Sequence, residues 1–139
     1  MNGDLLAIAV SLIILLGLIS GIGFVLKRKR KQPLDVEEFT AKWKAAQKLC
    51  GKQETWPLAI INADKLLDEA LKKCNYKGKS MGERLASAPR DLSDNDGVWF
   101  GHKLRNRLVH DEDVKLRQVD VQKALMGLRQ ALRDLGALK

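Results

Sequence analysis

Cysteine and histidine are both scarce, two of each in 139 residues, and that scarcity removes several chemistries at once. Cys50 and Cys74 have no paired spacing, so they form no disulfide framework and read as free thiols near helix ends. A zinc site would need Cys50, Cys74, His102 and His110, every soft ligand in the chain, and no spacing among them supports it. There is no glycine-rich phosphate loop, no carboxylate pair with a nearby partner and no internal repeat. Asp94-Asn95-Asp96-Gly97 shares the opening of a calcium loop but lacks the acidic residue that would close it, so it reads as a turn. No metal and no cofactor is expected.

Charge is missing over one long stretch. Residues 5–26 are uncharged and rich in Leu, Ile, Val, Ala and Gly. As a helix these residues reach about 33 Å, enough to cross the hydrocarbon core. A cleaved signal peptide would want positive charge before the run, whereas only Asp4 precedes it and Lys27-Arg28-Lys29-Arg30-Lys31 follows. The expectation is a single-pass anchor, residues 1–31, with the N-terminus outside and the C-terminal domain cytoplasmic. Its basic flank would meet anionic lipid headgroups. Gly17-x-x-x-Gly21 matches a small-residue pattern for helix pairing, so self-association through that face is expected. The net charge of +8 falls to +4 once that block and Asp4 are set aside, with 20 basic against 16 acidic residues. Basicity alone therefore argues little for nucleic acid.

After the short linker 32–34, residues 35–139 carry helical periodicity and no stretch that reads as a strand. Asp35 and Glu38 form a capping box, and Val36, Phe39, Trp43, Ala46 and Cys50 follow on one face before Gly51. A second helix opens near Thr55-Trp56-Pro57, with Ile60, Ala63, Leu67, Leu71 and Cys74 facing inward. Ser80 and Glu83 cap a short helix through Leu85. Residues 114–119 read as a connector with extended character. The last helix has Val121, Leu125, Leu128, Leu132 and Leu135 on one face and Gly136 as its cap. The expected fold is all-α: a transmembrane helix, then an up-and-down four-helix bundle. Trp43, Trp56 and Trp99 read as packing residues rather than base-stacking platforms.

The stretch that organises this reading is 97–110. His102, Asn106 and His110 stand at i, i+4 and i+8, one polar stripe, beside an apolar stripe of Phe100, Leu104 and Leu108. Polar groups turned inward must find partners, because each costs about 1–3 kcal/mol unpaired. They either satisfy one another, with Arg105 pairing to Asp111, Asp113 or Glu83, or they are kept for chemistry.

Arg105-Asn106-Arg107-Leu108-Val109-His110 resembles the Arg-Asn-x-x-x-His motif of the HEPN superfamily, helical bundles that include metal-independent endoribonucleases. The resemblance implies a dimer in which two motifs face one RNA-cleaving cleft. His110 would move protons, Arg105 would stabilise charge on the phosphorane, and Asn106 would position its neighbours. His102, Lys103 and Arg107 would contact the substrate. The chemistry is sound: imidazole titrates near neutral pH, and guanidinium stays charged and matches phosphate. Arg105 and His110 lie about 140° apart on an ideal helix, so unwinding before Asp111, or a second copy, must bring them together. The acidic turn 111–113 opposes RNA unless Lys103, Arg107 or the basic block offsets it. The tyrosine that follows the histidine in the toxin–antitoxin branch of the family is absent. The rival reading is a membrane-tethered interaction or scaffold module without chemistry, since such bundles also serve in that role.

Overall fold

A computed structural model describes residues 7–17 and 33–139. The chain divides into two units, Met1–Lys31 and Gln32–Lys139. In the first, residues 7–17 are helical, with their side chains exposed. Among the described residues no helix is long and apolar enough to cross a membrane. Residues 5, 6 and 18–26 of the expected span, Gly21 and the basic block 27–31 lie outside the described residues.

The second unit is all-helical, with no strand among the described residues: α1 (Val36–Lys48), α2 (Trp56–Lys73), α3 (Met81–Ala86), α4 (Asn95–His110) and α5 (Gln118–Asp134). Short 3₁₀ turns, Leu49–Gly51 and Gln53–Thr55, link α1 to α2. The expected caps set these boundaries. Asp35 accepts from the backbone of Glu37 and Glu38 at the start of α1, and Ser80 accepts from Glu83 at the start of α3. The Glu83 carboxylate reaches back to the Lys79 amide at 2.7 Å, one residue before the cap itself. Two helices end in Schellman turns. Gly136 (φ 78°) closes α5, with Ala137 donating to the Leu132 carbonyl. Asn75 (φ 61°) closes α2 in the same way, with Tyr76 donating to Leu71.

Packing makes α2 the hub, since it touches every other helix of the unit. Its expected inward residues Ile60, Ala63, Leu67, Leu71 and Cys74 are all buried, as is Asp64 among them. The main core joins Phe39, Leu67, Leu71, Leu85, Val98, Leu128 and Leu132, and it takes in Ala137 and Leu138 after the α5 cap. A second cluster gathers Ile60, Leu104, Val121 and Ala124, with Phe100 and Leu108 at its edge. Val114 and Leu116 of the connector also pack there, and Gln118 and Val119 already belong to α5. Trp43 is buried, while Trp56 and Trp99 are half-buried against the core.

Two differences concern the central stretch. Asp94-Asn95-Asp96-Gly97 is not a turn ahead of the helix but its beginning: Asp94 caps α4 by accepting from the Gly97 amide at 2.9 Å. Gly97 also lies against Gly127 of α5 so closely that a Cβ on Gly127 would stand 2.2 Å from its carbonyl carbon. The polar stripe is also not uniformly inward. Each step of four residues advances 40° beyond a full turn, so His102 is buried, Asn106 half-buried and His110 exposed.

Candidate functional site

The buried part of the polar stripe belongs to a four-residue ring. Asp64, on the inward face of α2, is 3% exposed, and its Oδ1 lies 3.0 Å from His102 Nδ1 on α4. One turn later, Asn106 Nδ2 lies 3.3 Å from His102 Nε2, and Asn106 Oδ1 accepts from Arg105 Nη1 at 3.0 Å. Arg105 Nε stands 3.6 Å from Asp64 Oδ2, which closes the ring as an ion pair too long for a hydrogen bond. Alternation of donors and acceptors assigns the ionised form: Nδ1–H of His102 donates to the carboxylate, and Nε2 accepts from the Asn106 amide. Burial pushes the Asp64 carboxyl above its ordinary range. The His102 hydrogen bond and the Arg105 charge pull it back without cancelling that rise, and the Asp68 charge adds to it.

The ring opens onto a cleft of about 550 Å³ between α2, the start of α3 and α4. Trp99 forms one wall, its ring edge-on to His102 with centroids 5.9 Å apart. Lys65 and Lys103 are exposed at its margin, and neither is ion-paired among the described residues. Arg84, 7% exposed, ties α3 to α2. Its Nε donates to Asp68 Oδ1 at 2.8 Å and its Nη1 to the Gly78 carbonyl at 2.7 Å. Burial raises the Asp68 carboxyl, but hydrogen bonds and charge from Lys72 and Arg84 outweigh it and hold Asp68 below its ordinary range. This clamp brings Ser80 and Gly82 to the cleft rim.

Of the residues expected at a site, Arg105, Asn106, His102 and Lys103 line this cleft, and His110 and Arg107 do not. Arg107 is exposed and pairs with Asp111 at 3.7 Å, so the acidic turn engages Arg107 rather than Arg105. Arg105 turns instead to Asp64 and Asn106, and not to Asp111, Asp113 or Glu83. His110 ends α4, exposed, and its ring bonds no described residue. The helix stays regular to that point, with the Asp111 amide donating to the Arg107 carbonyl at 2.8 Å, so no unwinding brings His110 round to Arg105.

Asp64 is the residue that pattern reading missed. Its signal was a carboxylate at position 64 between Ile60, Ala63 and Leu67, inside an otherwise apolar face. Arg84 left no such signal, because its partners lie in another helix and a loop. Among the described residues no group of three or more His, Cys, Asp or Glu side chains is placed to hold a metal ion. Cys74 is buried in the core, and burial pushes the half-buried Cys50 thiol up, away from reactive thiolate. No protein-family model, no curated protein and no solved structure matches the chain.

Proposed function

We propose that this chain is a single-pass membrane protein whose cytoplasmic domain, a HEPN-like up-and-down four-helix bundle, cleaves RNA without metal at a site shared by two copies. The uncharged run 5–26 and the basic block behind it support the anchor, the orientation and contact with anionic lipid. Self-association through Gly17 and Gly21 would assist pairing.

One observation carries the enzymatic reading. Arg105 is held at an open cleft by Asn106 and Asp64, and His110 is exposed five residues later on a different side of α4. Neither motif group is sealed, yet one copy cannot bring them together, which is the situation a two-copy site resolves. Asn106 takes the positioning role that the motif implies. The interaction-module reading has its own support, because the Asp64–His102–Asn106–Arg105 ring bonds its members to one another, as a fold element would, while Arg105 Nε is left with the Asp64 ion pair and no hydrogen bond.

The test is incubation of the full-length chain in detergent with mixed RNAs, with and without chelator, alongside His110→Ala and Arg105→Ala. Chelator-resistant cleavage lost in both variants is expected. Intact RNA with the unaltered chain, together with a marked fall in melting temperature for Arg105→Ala, would leave the interaction module standing.

A further inference from the structure

Cleavage of RNA by its own 2′-hydroxyl needs two proton carriers, one to take the hydroxyl proton and one to supply the leaving oxygen. The cleft that holds Arg105 already contains an imidazole with the placement of a base. We propose that His102 takes the 2′-hydroxyl proton and that His110 of a second copy serves as the acid, an assignment that rests on the ribonuclease reading above.

Three features point to His102. Asp64 fixes its Nδ1–H at 3.0 Å, which directs Nε2 toward the cleft and stabilises the imidazolium formed on protonation. The only hydrogen bond to Nε2 among the described residues is the 3.3 Å Asn106 bond, at the long end of the hydrogen-bond range and readily displaced by a hydroxyl. His102 and Gly82 both line the cleft, and a carbon-sized space adjoins that nitrogen: a Cβ on Gly82 would sit 3.6 Å from Nε2 and 3.9 Å from the Trp99 ring, in ordinary contact, so glycine keeps this approach clear. Arg105 faces the same cleft, and Lys65 and Lys103 at its margin, not ion-paired among the described residues, suit flanking phosphates.

The step balances. The 2′ oxygen bonds to phosphorus as its proton passes to Nε2, the bond from phosphorus to the 5′ oxygen breaks, and the second copy's His110 protonates that oxygen. The products are a 2′,3′-cyclic phosphate and a 5′-hydroxyl. No electrons are exchanged, and solvent resets both imidazoles.

The experiment uses the full-length chain in detergent and a short fluorescent single-stranded RNA, with its 2′-deoxy counterpart as control. His102→Gln keeps a donor for Asp64 and an acceptor for Asn106, so it preserves the bonds and removes the proton carrier. It should cut cleavage by about 100-fold or more while the melting temperature holds. Mixing His102→Gln with His110→Ala is the decisive measurement. In a two-fold dimer each mixed pair rebuilds one intact site, so two inactive preparations should together recover about a quarter of the unaltered activity. If His102→Gln does not fold, Gly82→Val sets its Cβ in ordinary contact with Nε2, at 3.6 Å, covers that nitrogen and should lower kcat/KM while the melting temperature holds. Cleavage by the unaltered chain that survives His102→Gln or Gly82→Val, or a mixture of folded variants that recovers nothing, overturns the assignment and leaves the ribonuclease reading intact. Absence of cleavage by the unaltered chain overturns both.

Discussion

Replacing Gly127 by alanine tests the close crossing of α4 and α5. The added carbon would lie 2.2 Å from the carbonyl carbon of Gly97 and 2.3 Å from its oxygen. Relaxed carbon contacts lie at about 3.5–4.0 Å, so α4 and α5 must separate by more than about 1 Å. The obstacle is main chain, so no side-chain rotation relieves it. Taken alone, alanine for glycine inside a helix stabilises by about 1 kcal/mol. Overpacking costs about 1–3 kcal/mol and occasionally more, and a rigid neighbour puts this site at or above the upper end. The net loss should be about 2 kcal/mol, a fall in melting temperature on the order of 10 °C for a domain of this size. Thermal unfolding of the full-length chain in detergent, followed by circular dichroism, measures it. Gly51→Ala is the control, because its Cβ meets nothing within 4 Å, and it should change stability by less than about 0.5 kcal/mol. An unchanged or raised melting temperature for Gly127→Ala would refute the close crossing.

Asp64→Ala should cost about 2–3 kcal/mol in urea unfolding, since it strips His102 and Arg105 of their shared partner while part of Arg105 stays in water; a loss below about 0.5 kcal/mol would show the ring to be idle. Gly136→Ala should cost about 1 kcal/mol, because the Schellman turn holds this position at φ 78°, where a Cβ is strained; a neutral result would mean the C-terminal turn adjusts freely. Burial raises the Asp134 carboxyl, but hydrogen bonds from the Ser93 amide and hydroxyl and from Gln130 outweigh it and hold it below its ordinary range. A depressed carboxylate contributes stability above its unfolded pKa and loses it as pH falls through the folded value. Asp134→Asn should therefore flatten the acid limb of a stability profile below about pH 4, the unfolded aspartate value, and an unchanged limb would discount the Ser93 contact.

Much of the fold was legible because its local signals act within a turn or two of the chain. Asp35, Ser80 and Gly136 mark helix ends through bonds to residues at most five positions away, and each stands at the expected end. The inward face of α2 followed from spacing alone, since a helix buried on one side needs apolar residues every three or four positions. The polar stripe of α4 was legible as a pattern and mistaken as a direction. Its 40° drift per step is small over two residues and decisive over three, and it carries His110 out of the interior.

The sequence by itself determined where α1, α2 and α3 start, where α5 stops and which faces are apolar, because capping and periodicity are read within single elements. It also marked Arg105, Asn106 and His110 as unusual. Only the tertiary structure decided what those groups touch. The choice of Asp64 over Asp111 as the partner of Arg105, the burial of His102 beside Trp99, and the contact of Gly97 with Gly127 each depend on two helices meeting at one register. Register is set by the joint packing of the whole core around α2. Local spacing shows that Asp64 interrupts an apolar face but not which imidazole it pairs with 38 residues away, and only the packing of α2 against α4 brings the two within a hydrogen bond.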